Sequence, residues 1–318
     1  MWRRVLLRLA TGLAVVVGAV TLTFLLLHLA PGDPALHLVG PAATPEQLEA
    51  RRAALGLDRP LPVQYAAWLR RAVAGHWGES LATGRPVAEM LSRAWPATAL
   101  LVALSLAFTY LLGVSLGVIQ SAAGRRTDTA LSALSVALYA MPGYWLALML
   151  ILVFTYQLRV LPAFGAAGLD ADFLSPGARL LDRLRHLALP LATLTLIGVG
   201  GIARYVRGAM RDVAGAPFVQ ALRARGLTEA RIRVIHVLRN ALVPVVTLLG
   251  LSLPALFSGA VFVEAVFAWP GVGRLLVEAV SGRDYPVVMA ATTVSAMLVV
   301  LGNLLADLLL AAVDPRMR

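Results

Sequence analysis

Residues 217–244 read PFVQALRARGLTEARIRVIHVLRNALVP, a charged stretch between two long apolar segments. It carries Arg223, Arg225, Arg231, Arg233, Arg239 and Glu229. One charge at the middle of a bilayer costs ~2.5–3.5 kcal/mol on insertion scales, so this run does not cross a membrane. Its residues favour helix on both sides of Gly226, and Pro244 is the next backbone interruption. The stretch therefore reads as two helical pieces joined at a glycine, exposed to water between membrane spans.

The rest of the composition agrees with that setting. Of 318 residues, 59% are hydrophobic and 14% charged, whereas a soluble domain is about a quarter charged. The apolar residues fall in long blocks, as in a polytopic membrane protein. A net charge of +11 would suggest nucleic acid in a soluble chain. Here much of it lies in short loops beside apolar spans, so membrane topology explains it and no nucleic-acid partner is expected. All 28 basic residues are arginine, and there is no cysteine. A chain without cysteine forms no disulfide and no thiolate metal site. A chain without lysine cannot build a P-loop, whose lysine reaches the β/γ-phosphates. If ATP drives this protein, ATP and Mg are bound by other chains.

Three arginines in residues 1–8 precede an apolar run over 9–29. This run is long enough to span ~30 Å of hydrocarbon, whereas a signal peptide core has only about 7–15 residues. It reads as a retained first helix (residues 1–30) starting in the cytoplasm. Residues 31–94 read as a small extracytoplasmic domain. There Thr44-Pro45-Glu46-Gln47 resembles a capping box, Gly56 a stop, and 62–74 a second helix. That loop holds seven arginines, but loops near 60 residues largely escape the positive-inside bias.

The remaining stretch, 95–318, holds spans at about 95–119, 131–156, 187–205, 241–262 and 286–313. Gly113 and Gly117 form a GxxxG pair, which brings helices close or marks incidental small residues. Pro142-Gly143 predicts a kink, and Gly198, Gly200 and Gly201 predict a span packed inside the bundle. Residues 157–186 and 264–285 read as outer, turn-rich segments. The basic loop 124–128, the loop 206–240 and the tail 314–318 read as cytoplasmic. The stretch 204–240 has eight arginines, the strongest cytoplasmic marker. The expected fold is an all-α polytopic membrane protein with six transmembrane helices and both termini in the cytoplasm. No internal repeat suggests a secondary transporter.

Catalytic patterns are missing: no HExxH, DxDGxxE or GxSxG occurs, and the five histidines are scattered. Asp307 is an acid inside a hydrophobic stretch, a functional candidate by default. It lies near the cytoplasmic end of its span, where snorkelling or a structural bond to a neighbouring helix serves as well. No enzyme, cofactor or metal site is expected. The 217–244 stretch reads either as an amphipathic helix on anionic lipid or as a docking element for a cytoplasmic partner. Gly226, together with apolar residues in short clusters (Phe218-Val219, Val234-Ile235, Val237-Leu238), favours docking.

ALRARGLTEARIRVIHVLRNALVPVVTLLGL resembles the cytoplasmic coupling loop of binding-protein-dependent ABC importer permeases, closest to the dipeptide/oligopeptide/nickel group. So do LAPGDPA (29–35), LGLDRPLPVQY (55–65), HWGESLATGRPV (76–87), VEAVFAWPGVGRLL (263–276), RDYPVV (283–288) and NLLADLLLAAVDPRMR (303–318). Together they cover nearly the whole chain and resemble the first of the two permease subunits. The resemblance implies a type I-like permease fold in a bacterial inner membrane. It also implies a second homologous permease subunit, two cytoplasmic ABC ATPases and an extracytoplasmic solute-binding protein. It implies a non-catalytic role in importing di- or oligopeptides by alternating access; nickel chelates, glutathione or oligosaccharides are cargo alternatives. The coupling contacts would be Gln220, Ala221, Arg223, Ala224, Arg225, Gly226 and Leu227. The wider class places Glu-Ala-Ala where this chain reads Gln220-Ala221-Leu222. A stand-alone carrier would need coupling-ion sites, and a membrane enzyme would need a catalytic constellation.

Overall fold

Several helices of this chain approach one another more closely than side chains other than glycine would permit. The computed structural model describes residues 2–29 and 44–313, without the side chains of 2–6, 51, 54–55, 243–244, 246–247, 250–251, 253–254 and 305–313. The segment 30–43, the tail 314–318 and the Asp307 side chain thus lie outside the described residues.

Every named element is helical. In order they are α1 (Trp2–Leu29), α2 (Pro45–Leu55), α3 (Leu61–Val73), α4 (Val87–Ala122), α5 (Arg125–Ala140) and α6 (Gly143–Leu150), which continues as a π-helix to Gln157. Then follow α7 (Pro176–Ala214), α8 (Pro217–Ala224), α9 (Leu238–Val266), α10 (Val272–Ser281) and α11 (Tyr285–Val313). The chain divides into two compact units, one of residues 1–98 and 270–301, the other of 99–269 and 302–318.

In the first unit, Thr44 and Gln47 form the expected capping box, with Pro45 at the first helical position. Helix α2 ends at Gly56. Asp284 fastens two distant stretches. Its carboxylate accepts from Ser80 Oγ (2.5 Å) and from the amides of Leu81 (3.0 Å) and Ala82 (3.3 Å), while its position starts α11. Val87, Leu91, Val272, Val287, Val288, Ala290 and Ala291 form the apolar core beside it.

In the second unit, α4 and α5 lie against α7. A Cβ built on Gly200 would stand 2.2 Å from the carbonyl oxygen of Ser135, and one on Gly117 2.7 Å from that of Ala203. One on Gly113 would meet Ile202 at 2.7 Å, and one on Gly198 would meet Thr109 at 2.6 Å. Contacts this short are open only to glycine, so the GxxxG pair and Gly198 and Gly200 of α7 are packing devices. Between the helices Gln120 donates to Ser135 (2.9 Å), both fully buried.

Helix ends depart from the sequence reading. α4 begins at Val87 instead of 95, and α7 covers 176–214 instead of 187–205. Hydropathy marks only the hydrocarbon-embedded part of a helix, whereas backbone hydrogen bonding continues into polar turns. Ser175 caps α7 by accepting from Ala178 N–H, with Pro176 at the first helical position. The kink expected at Pro142-Gly143 is a 104° bend between α5 and α6. Met141, preceding proline, is forced extended (φ −77°, ψ 129°), which ends α5 outright.

Among the described residues, four helices are long and apolar enough to cross a membrane alone, and the bent α5–α6 pair would be a fifth if counted as one broken span. The helix read as ending at 262 runs to Val266, so Glu264 is fully buried. Asp307 is therefore joined by a second acid within a long helix, and the segment after it holds α10 as well as turns.

Candidate functional site

Helix α7 carries the charged loop away from the apolar layer. Its 39 residues measure about 58 Å at 1.5 Å per residue, against ~30 Å of hydrocarbon. Three arginines lie in its final turns, and α5 occupies all three. Arg207 donates in a bidentate pair to Asp128 (Nε to Oδ1 2.5 Å, Nη2 to Oδ2 2.6 Å), and Arg211 donates to the same Oδ2 at 2.8 Å. The Arg204 guanidinium stands 4.7 Å above the Tyr139 ring. Sequence reasoning took Asp128 as one more residue of a short basic loop. The available signal was the i,i+4 spacing of Arg207 and Arg211 opposite a lone acid.

The chain turns sharply after α7. Ala216 is extended (φ −70°, ψ 146°), as the residue before Pro217 must be, and Pro217 opens α8 without an orphan N–H. Helix α8 closes in a Schellman motif: Gly226 N–H donates to Arg223 O (2.9 Å) and Leu227 N–H to Leu222 O (3.3 Å). Gly226 sits at φ 78°, in the left-handed region that side chains avoid. Leu222 and Leu227, the apolar pair that accompanies such a motif, both pack on the underlying core. Thr228 then starts a turn over Glu229–Arg231, which continues as a π-helix over Ile232–Val237 into α9.

An ion pair spans this turn. Arg223 Nε donates to Glu229 Oε1 at 2.6 Å and Nη2 to Oε2 at 3.3 Å, with Arg233 3.9 Å from the same carboxylate. The hydrogen bond from Arg223 holds the Glu229 carboxyl below the ordinary glutamate range, and Glu229 in turn raises Arg223. Both groups are exposed, so the pair orients the turn more than it stabilises it.

The loop has its own apolar core. Val219, Ile232 and Val237 are buried against Ile202, Val206 and Met210 of α7 and Ala241 and Val245 of α9. The apolar clusters read in the sequence are thereby split. Val219 and Val237 face inward, while Phe218, Val234 and Ile235 remain 41%, 56% and 51% exposed.

Gln220, Ala221, Arg223, Ala224, Arg225 and Gly226 are exposed together on α8 and its turn, and Leu227 is half-buried beneath them. Arg225, Arg231 and Arg239 make no ion pair among the described residues. The outer surface thus offers unpaired guanidinium groups beside exposed apolar side chains. It has the composition of a protein-docking patch, in which arginine and aromatics are enriched. Among the described residues no three His, Asp or Glu side chains converge as metal ligands.

Two family models match the chain. The model described as "Binding-protein-dependent transport system inner membrane component" matches residues 109–318, and its N-terminal companion matches 1–102. A putative peptide permease protein of Brucella ovis is 41% identical, over 100% of this chain and 99% of its own length. The oligopeptide transport system permease protein AppB of Bacillus subtilis is 37% identical, covering 97% of each chain. The dipeptide transport system permease protein DppB of Escherichia coli is 32% identical, over 99% of this chain and 98% of its own. Among solved structures, the inward-facing MetNI methionine ABC transporter matches with a TM-score of 0.58 at 20% identity, over 72% of this chain and 98% of that one. At that identity the likeness concerns the fold.

Proposed function

This chain belongs to the family of binding-protein-dependent transport system inner membrane components, and on that premise we propose that it is a permease subunit of an ATP-driven importer of di- and oligopeptides. Full-length similarity to relatives named for peptide transport supports the cargo. The proposed topology has six crossings, counting the 29-residue α9, with both termini in the cytoplasm and residues 31–94 outside. The proposed partners are a second homologous permease, two cytoplasmic ATPases that bind ATP and Mg, and an extracytoplasmic solute-binding protein. This chain contributes no catalysis.

In this reading residues 217–240 are the coupling element. The observation that carries it is the core shared by the loop with α7 and α9. An ATPase that binds the outer surface of α8 and moves it must move Val219, Ile232 and Val237. Those residues are packed on both flanking helices. Displacement at the loop is thus transmitted as a rigid body to α7 and α9, which is what alternating access requires. Gln220, Ala221, Arg223, Ala224, Arg225, Gly226 and Leu227 form the contact surface, with Gly226 fixing the direction of the chain between the two pieces.

The test is reconstitution of the chain in proteoliposomes with a homologous second permease, ABC ATPases and a solute-binding protein from the same organism. Labelled dipeptide should accumulate only with ATP on the side of the loop and binding protein on the other. Uptake without ATP, or no association with any ABC ATPase, would overturn the proposal.

A further inference from the structure

The first unit contains a pocket of about 170 Å³ that the coupling mechanism does not use. Three elements enclose it. Helix α1 contributes the last turns, with Phe24 and His28. Helix α3 contributes one face, with Gln64, Trp68 and Arg71 at helical spacing, and α11 contributes Tyr285 and Met289 from its start.

His28, Gln64 and Tyr285 of the lining have their polar atoms committed to partners beside them. His28 Nδ1 meets Phe24 O at 2.8 Å and its Nε2 meets Gln64 Oε1 at 3.2 Å. Gln64 Nε2 donates to the carbonyl oxygens of Arg59 (2.8 Å) and Leu57 (3.3 Å), and Tyr285 Oη donates to Leu27 O (2.8 Å). The arginines are less committed: Arg71 Nε donates to Ala67 O at 3.3 Å, one turn back on its own helix. Arg59 and Arg71 both line the pocket, and among the described residues no carboxylate does and neither arginine makes an ion pair. The pocket is thus aromatic and aliphatic within and cationic at its edge.

Its level in the bilayer follows from its walls. It lies where one apolar helix ends and another begins, at a membrane–water boundary. Tyr65, Trp68 and Tyr285 gather there, the residues expected at headgroup depth. Helix α3 has no buried residue, exposes Leu61, Val63 and Val73, and carries Arg70 and Arg71 in its last turn. That is the make-up of a helix lying in the interface.

We propose that this pocket binds one anionic phospholipid from the leaflet at the C-terminal end of α1. The upper acyl chain packs against Phe24, Trp68 and Met289, and the phosphate sits between Arg59 and Arg71. A zwitterionic peptide fits less well, because its amino terminus would ask for a carboxylate, and none stands among the described lining residues. The proposal does not depend on the cargo or on the coupling role of the loop.

The experiment uses the full chain in nanodiscs of phosphatidylcholine with or without phosphatidylglycerol, followed by native mass spectrometry. One phosphatidylglycerol should stay bound after activation that strips phosphatidylcholine. Near a membrane surface each arginine contributes roughly a fivefold step, so Arg59→Gln with Arg71→Gln should weaken retention about thirty-fold. Arg85→Gln, outside the pocket, should leave it unchanged. Brominated phosphatidylglycerol should quench the chain's tryptophan fluorescence, and Trp68→Phe should remove most of that quenching. Equal retention by the double variant, or equal retention of phosphatidylcholine, would overturn the assignment. Displacement of the lipid by excess inorganic phosphate would assign the site to the free anion instead.

Discussion

Replacing Gly226 by valine isolates the turn from everything around it. No atom lies within 4 Å of where a Cβ would stand, so the substitution meets no neighbour. Its cost is purely conformational. At φ 78° a residue with a Cβ pays about 1–2 kcal/mol, and β-branching places valine at the upper end. That lowers the population of the Schellman turn roughly 5–30-fold relative to its alternatives. The core of Val219, Ile232 and Val237 is untouched, so insertion and helix content should persist. Coupling should suffer, because the direction of α8 against the following turn is no longer fixed. The assay is peptide imported per ATP hydrolysed in reconstituted vesicles. We expect hydrolysis to continue and import to fall, with Gly226→Asn intermediate because asparagine tolerates this region. Unchanged import in the valine variant, or an equal loss in both variants, would refute the reasoning.

Gly200→Ala makes the opposite kind of change. Its Cβ would lie 2.2 Å from a backbone oxygen, so α5 and α7 must separate by about 1 Å, at ~1–3 kcal/mol. A melting temperature in detergent equal to that of the parent would contradict it. The Glu229 carboxyl is held below its usual range, so its pairing contributes above the unfolded pKa of ~4.3 and is lost as pH falls through the lower, folded value. ATPase co-purification should therefore be flat through neutral pH for the parent and reduced throughout for Glu229→Gln. A reduction confined to acid pH in that variant would count against the pair. Asp284→Ala strands the Ser80 hydroxyl and two amides, at ~1–3 kcal/mol, and should expose residues 76–87 to limited proteolysis.

What the sequence disclosed, and what it hid, follows from the range of each interaction. The Gly226 turn, the Thr44–Gln47 box and the clash-sensitive glycines are local signals, so they were readable. Helix ends were not, because hydropathy reports the apolar layer and α4 and α7 continue past it. The Pro142 kink was readable as a break, while its 104° magnitude depends on where α6 packs. The pairing of Asp128 with Arg207 joins residues 79 apart, and that of Asp284 with Ser80 joins residues 204 apart. No spacing rule spans such distances. Nor does spacing tell a paired loop arginine from an unpaired one: Arg204, Arg207 and Arg211 are held by α5 and Arg223 by Glu229. For a partner, Arg225, Arg231 and Arg239 are the better candidates.

The unbroken length of α7 has a mechanical consequence. It is a lever about 58 Å long whose only interior proline is Pro190. A tilt of roughly 5° about its midpoint swings each end by about 2.5 Å, half a helical turn of travel from a change too small to break any packing contact in its middle. The glycines at 198, 200 and 201 lie close to that midpoint, where movement is least and the tightest fit can be kept. Amplitude grows toward Gly215, where the lever meets the coupling turn.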